Sequence, residues 1–152
     1  MLKRRIKQHY QEEWANEWTN EARGRTTYSL TPKPTQEISW LHTLLYEPLS
    51  SVLIQLWTEK IGFRYFLFHR HVREVTDAAC DCGRGEQTVR HVLVACPTHH
   101  NLRKETWEKE DRRRPIMDLK EVLNTPNLAK KAARFMIATR LGQYGAVKEN
   151  EI

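Results

Sequence analysis

All three cysteines of the chain fall in one stretch of seventeen residues, CDCGRGEQTVRHVLVAC, from Cys80 to Cys96. A histidine stands between the second and the third, so the spacing is C-x-C-x8-H-x4-C, with Cys80, Cys82, His91 and Cys96 as the named positions. Three soft thiolates and one imidazole suit a tetrahedral ion such as zinc, and four protein ligands leave no position for a substrate. Such a centre ties the two ends of the stretch together and constrains the fold more than any other feature. Gly83 permits a tight turn after Cys82 that can aim backbone N–H groups at the sulfurs. EQTVRHVL has helical character and presents His91. Five residues at about 100° each carry Cys96 about 140° around a helix from His91, so both reach one ion only if the helix ends before Cys96. Pro97 disfavours helical backbone at Cys96 and supplies that break. His99 and His100 are rival ligands just beyond, which either substitute for His91 or sit on the following helix. The alternative to a metal is three buried, apolar-like cysteines and a surface histidine. Their gathering around one histidine argues against it.

Composition bears on this centre in two ways. An apolar fraction of 39% permits only a modest core in 152 residues, and small cores often need a staple. The charged N-terminus MLKRRIKQHYQEEW lacks the apolar segment of a secretory leader, so an intracellular chain, nuclear or cytoplasmic, with reduced thiols is expected. An odd cysteine count also leaves at least one thiol without an intramolecular partner. No apolar run is long enough to span a bilayer, so no membrane partner is expected.

Catalysis finds little support. A catalytic zinc needs an open position and a base, and the deaminase pattern H-x-E…P-C-x-x-C is absent. Asp77, Asp81, Asp111 and Asp118 are the only aspartates, and none forms a pair suited to two-metal chemistry. No glycine-rich phosphate loop occurs. No catalytic residue is assigned, and the chain is not expected to be an enzyme by itself.

The rest of the chain reads as helices. Ile6, Tyr10, Trp14 and Trp18 recur every fourth residue in segment 2–22 and line one side of a helix, expected to dock on its own domain. Gly24, Pro32 and Pro34 mark a turn-rich connector with a short strand near Thr27–Leu30. Pro48 starts a helix whose Val52, Leu53, Leu56 and Trp57 share a face. Gly62 interrupts, and FRYFLFHRHVR follows with Phe63, Phe66 and Leu67 inward. Pro97 opens a polar helix, and MDLKEVLN forms a short one. The last runs from a Thr125 cap and Pro126 to Gly142, burying Leu128, Ala132, Phe135, Met136 and Thr139. The division expected is an N-terminal helix and connector over 1–35, a helical domain over 36–145 and a tail over 146–152.

The formal net charge is +6, which favours polyanionic partners. Candidate phosphate contacts flank the cysteine segment at Lys60, Arg64, Arg70 and Arg73 and lie within it at Arg84 and Arg90. Lys60 and Arg64 share a face if one helix continues through Gly62, and His69 and His71 add charge below neutral pH. Acidic neighbours, as in EKEDRRR, balance much of this charge locally, and solvated arginines are the ordinary alternative.

LIQLWTEKIGFRYFLFHR followed by CDCGRGEQTVRHVLVACP resembles the C-terminal region of fungal Tad-like LINE (non-LTR) retrotransposon proteins. In that family of transposable elements a reverse transcriptase and an RNase H domain precede a zinc-knuckle-like CCHC cluster. The resemblance spans residues 14 to about 141 and is most specific in the cysteine segment. It places Cys80, Cys82, His91 and Cys96 in the cluster and Gly83, Gln87, Thr88 and Pro97 in its frame. Trp57 stands where the family usually has arginine, which puts a phosphate contact there in question. Taken with its helical segments, the chain is expected to be mainly α, a small helical domain with one zinc-knuckle-like Cys3His insertion holding structural zinc. The resemblance implies binding of RNA or DNA during target-primed reverse transcription. A docking tail for upstream reverse transcriptase or RNase H domains, or a remnant without function, are the alternatives.

Overall fold

A computed structural model describes residues 2–34, 39, 42, 43, 45–108 and 118–141, the side chains of 107 and 108 excepted. Helix α1 covers Leu2–Asn20 and α2 covers Arg25–Leu30. Between them Gly24 takes the left-handed conformation at φ 70°, and its carbonyl accepts the Tyr28 N–H at 3.0 Å to start the new helix. The Arg25 guanidinium donates to the carbonyls of Thr19 and Glu21 at 2.9 and 2.6 Å, and lies 3.8 Å from the Tyr28 ring centre. The strand expected near Thr27–Leu30 is therefore helix. A left-handed glycine followed by a cation that caps the preceding helix favours a tight helical re-entry over an extended connector.

Pro48 sits in the first turn of α3 (Glu47–Thr58), where its missing N–H leaves no helical bond unmade. Leu49, Val52, Leu53, Leu56 and Trp57 are buried, the face expected from the periodicity plus one residue. Glu59 in the left-handed region at φ 54° ends the helix, and Ile61 and Phe63 then plug the core. Helix α4 (Arg64–His69) buries none of its own residues; Phe63 precedes it, and Phe66 and Leu67 are only half-buried. Past the cysteine segment the chain from Pro97 divides into a 3₁₀ turn (Pro97–His99), α5 (His100–Arg103) and a wide π turn (Lys104–Glu108), in place of one regular helix.

Asp118 caps α6 (Leu119–Asn124) by accepting the Lys120 N–H at 2.9 Å. Helix α7 (Pro126–Ala138) opens at Pro126 after Thr125, as expected, and its buried set is Ala129, Ala132, Ala133, Phe135, Met136 and Ile137. Leu128 and Thr139 are half-buried, and Gly142 lies outside the described residues, as do the expected boundaries at 35 and 145.

Helices α3, α6 and α7 pack on one another, with α2 against α3 and α6. Fully buried Ala129, Ala132 and Ala133 leave α7 with little side chain along that stripe, so neighbouring backbones come close. Polar ties fix the register. The Trp57 indole N–H donates to the Leu123 carbonyl at 3.2 Å, and the Asn124 amide donates to the Leu30 carbonyl at 2.9 Å. Val89, Val92 and Leu93 belong to the same core. The cysteine segment is thus mainly helical on one side and is a wall of the domain. Among the described residues there is no strand, only one antiparallel bridge, Ala79 with Glu86.

Helix α1 buries no residue. Its Trp18 is half-buried, donating from its indole N–H to the Thr31 carbonyl at 2.9 Å, with its ring 6.2 Å from that of Tyr28. Ile6, Tyr10 and Trp14 are 47%, 65% and 47% exposed. The docking expected of this stripe holds at Trp18 alone, because only the C-terminal end of α1 reaches the domain.

Candidate metal centre

The bridge between Ala79 and Glu86 is flanked by two hydrogen bonds, Cys80 N–H to Gly85 carbonyl and Gln87 N–H to Ala78 carbonyl, both 2.8 Å. The loop they close carries Cys80 and Cys82 on a tight turn, with Gly83 N–H bonded to the Cys80 carbonyl at 2.9 Å. Gly83 has φ 69°, and the Arg84 N–H then points at the Cys82 sulfur at 3.4 Å. This is the turn that the glycine allows. Gln87 is buried, and its side-chain oxygen accepts the Arg64 N–H at 2.9 Å, tying the loop to the start of α4.

Thr88 starts the helical half: its hydroxyl accepts the His91 N–H at 3.1 Å. From His91 to Ala95 the helix widens into a π turn that ends when Cys96 turns extended (φ −63°, ψ 119°). The Cys96 N–H bonds the His91 carbonyl at 2.6 Å. The break expected before Pro97 is therefore present. The widened turn is an addition, and it folds Cys96 back over His91.

The four ligand atoms lie within 4.8 Å of one another. The Cys80 and Cys96 sulfurs are 3.7 Å apart, and the Cys82 sulfur is 3.1 Å from His91 Nε2. A tetrahedral ion with metal–sulfur bonds of about 2.3 Å and a metal–nitrogen bond of about 2.0 Å needs S···S near 3.8 Å and S···N near 3.5 Å. The first pair already fits, and the second lies within about 0.4 Å of its value. The group could hold a metal ion. His99 instead sets its ring edge-on to Phe135 with centres 6.1 Å apart, and His100 is exposed, so neither joins the cluster.

Cys80 and Cys96 are buried, and Cys82 and His91 are half-buried. Burial, reinforced by the neighbouring sulfurs, pushes the Cys80 thiol up to about 11. Burial also acts upward on Cys96, but hydrogen bonds from the Thr98 backbone and hydroxyl and from the other thiols outweigh it and lower that thiol. Burial first, then the Arg103 charge, lowers His91 below its ordinary value and keeps its ring nitrogen available to a metal.

Two positions that sequence reasoning misses shape this site. Gly85 has φ 150°, reachable almost only by glycine, and a side chain there would face the His91 ring at 3.6 Å. Arg103 is half-buried, and its guanidinium donates to the carbonyls of Val92 at 2.9 Å and Leu93 at 3.2 Å and to that of Cys96. It thereby braces the turn between two ligands from a helix eleven residues on. Gly85 stands within the cysteine segment as half of a G-x-G pair, a signal that could have found it. Arg103 gives no signal, because its contacts are tertiary.

The candidate phosphate contacts do not all stand free. The Arg64 guanidinium pairs with Asp81 at 2.8 Å and Asp77 at 3.8 Å, so two of the aspartates converge on a cation. Lys60 follows the left-handed end of α3 and precedes α4, so it and Arg64 are not on one helix. Lys60, Arg70, Arg73, Arg84 and Arg90 are exposed, and none forms an ion pair among the described residues. Arg90 lines a shallow cleft with Glu86, Thr88, His91 and Ala95. Trp57 is core, so no phosphate contact is made there.

The chain matches no protein-family model, no curated protein and no solved structure. No helix among the described residues is long and apolar enough to cross a membrane.

Proposed function

We propose that the chain is a nucleic-acid-binding module stapled by a structural zinc ion at Cys80, Cys82, His91 and Cys96. Soft thiolates with one imidazole favour zinc over magnesium or calcium, and the four protein ligands complete its shell. The role is then to hold the loop against the helical half, with no coordination position left for catalysis. The observation that carries the binding reading is the rim of this centre. Arg84 on the loop and Arg90 on the helix are exposed cations without ion-pair partners among the described residues. The resemblance of the cysteine segment to LINE-type retrotransposon tails supports the same reading. Glu86 in the cleft with Arg90 opposes it, since a carboxylate there repels phosphate.

Metal analysis of the purified chain, with salt-titrated binding of single-stranded RNA and duplex DNA, tests the proposal. One zinc per chain is expected, together with affinity that falls steeply with salt. Arg84→Ala with Arg90→Ala should leave zinc content unchanged and reduce the log–log salt slope by about one for each phosphate no longer neutralised. Salt-insensitive binding, or none, would reject the nucleic-acid role.

A second reading, a docking tail for upstream polymerase or nuclease domains, is favoured by the exposure of Tyr10 and Trp14 on α1.

A further inference from the structure

Helix α1 carries its charges in the order that a lone helix disfavours. Lys3, Arg4, Arg5 and Lys7 fill its N-terminal half, Glu12, Glu13 and Glu17 its C-terminal half, and Glu21 follows just beyond. The helix dipole is positive at the N-terminus and negative at the C-terminus, so each block sits against a like pole. The first turn has no acidic residue and the last no basic one. The same helix leaves Leu2 72%, Ile6 47%, Tyr10 65% and Trp14 47% exposed. Most helical stability in proteins comes from packing an apolar face, and here that face is bare over three turns.

One neighbour relieves all of this at once: an identical helix running the other way. We propose that α1 is a homodimerisation helix, pairing antiparallel with α1 of a second copy of this chain through Ile6, Tyr10 and Trp14. Antiparallel dipoles attract, and each basic half then lies beside an acidic half. The complementarity is one of charge blocks: at about 100° per residue Arg5 lies about 140° around the helix from Tyr10 and Glu17 about 20° from it, so the two do not form a fixed pair across the contact. A different protein would need the same reversed gradient, which a second copy has by construction.

The geometry follows from the spacing. A stripe on every fourth residue slants across the helix, so two such ridges interlock at a crossing angle of about 50°, unlike a coiled-coil seam. The contact is isologous and closes at two copies. Its total area, on the order of 1,000 Å², is at the small end of stable interfaces, so a dimer of roughly micromolar affinity is expected. The inference is independent of the metal and of nucleic acid.

Sedimentation velocity of the metal-loaded full chain across the micromolar range tests it. A monomer–dimer equilibrium is expected, with Tyr10→Asp monomeric throughout. Reversing the acidic block alone, Glu12→Lys with Glu13→Lys and Glu17→Lys, should weaken the dimer about tenfold, because each basic half then faces a basic half. The exchange suits the helix dipole, so melting of α1 cannot account for the loss. A monomeric wild type, a dimeric Tyr10→Asp, or a block-reversed variant as tightly dimeric as the wild type would each overturn the proposal.

Discussion

At the scale of single residues, His91 is positioned by the backbone opposite it. Gly85 occupies φ 150° beneath the ring, and the 3.6 Å a Cβ would have to His91 is ordinary contact. The cost of Gly85→Ala is therefore conformational, about 1–3 kcal/mol, and it falls where the ligand stands. Metal affinity should drop about tenfold or more in a chelator competition, while His99→Ala keeps one metal per chain and His91→Ala loses it. Retained stoichiometric metal in His91→Ala would mean that the three thiolates suffice with a water, or that His99 or His100 takes over. Acidity matters at this scale too. With Cys80 pushed up to about 11, the free thiol holds its proton at neutral pH, so metal uptake releases protons and the affinity must fall as pH is lowered.

At the scale of elements, the π turn His91–Ala95 sends the Cys96 N–H to the His91 carbonyl in place of that of Val92, and Arg103 donates to the carbonyls of Val92, Leu93 and Cys96. Burial lowers the guanidinium's pKa, and the Cys96 thiolate opposes that shift. The group thus orients both the turn and the charge beside the centre. Lysine presents a point charge in place of a fork and cannot reach three carbonyls in this geometry. Arg103→Lys should weaken the metal about tenfold, the usual scale for outer partners of a centre. The measurement is competition with a colorimetric chelator. Unchanged affinity would mean the turn holds its shape without the brace.

At the scale of the whole molecule, the metal segment and the helical core share buried side chains. Val92 and Leu93 are 0% and 2% exposed and join the cluster containing Phe135 and Met136 of α7. Chelation should therefore lower one cooperative melting transition, with amides of α7 losing protection together with residues 76–100. Protection of α7 that survives chelation would reveal two independent units. Acid acts on the same whole. Burial lowers His42, His91 and His99, so the unfolded chain, with histidines near 6.5, takes up protons first. Stability is present above that value and is lost as pH falls below it toward the folded values. Thermal melts at stepped pH check the sign.

Local chemistry is legible along the chain wherever the causes are near neighbours. The four candidate ligands stand out because soft thiolates and an imidazole gather at short range in the chain, and the α3 face because period and Pro48 agree. Pro97 announces the end of the helical half, since proline acts on its immediate neighbour. Other features depend on partners distant in the chain and emerge only when the chain is folded. Arg64 and Arg90 look alike as basic residues, but Asp77 and Asp81 engage the first alone. The segment Thr27–Leu30 is helix where a strand is expected, and its Leu30 carbonyl accepts from the Asn124 amide far along the chain. The stripe of α1 has the same spacing whether covered or bare; only the placement of its far end, away from the core, leaves Tyr10 and Trp14 in solvent. Periodicity tells which side of a helix is apolar, and packing alone decides what meets it.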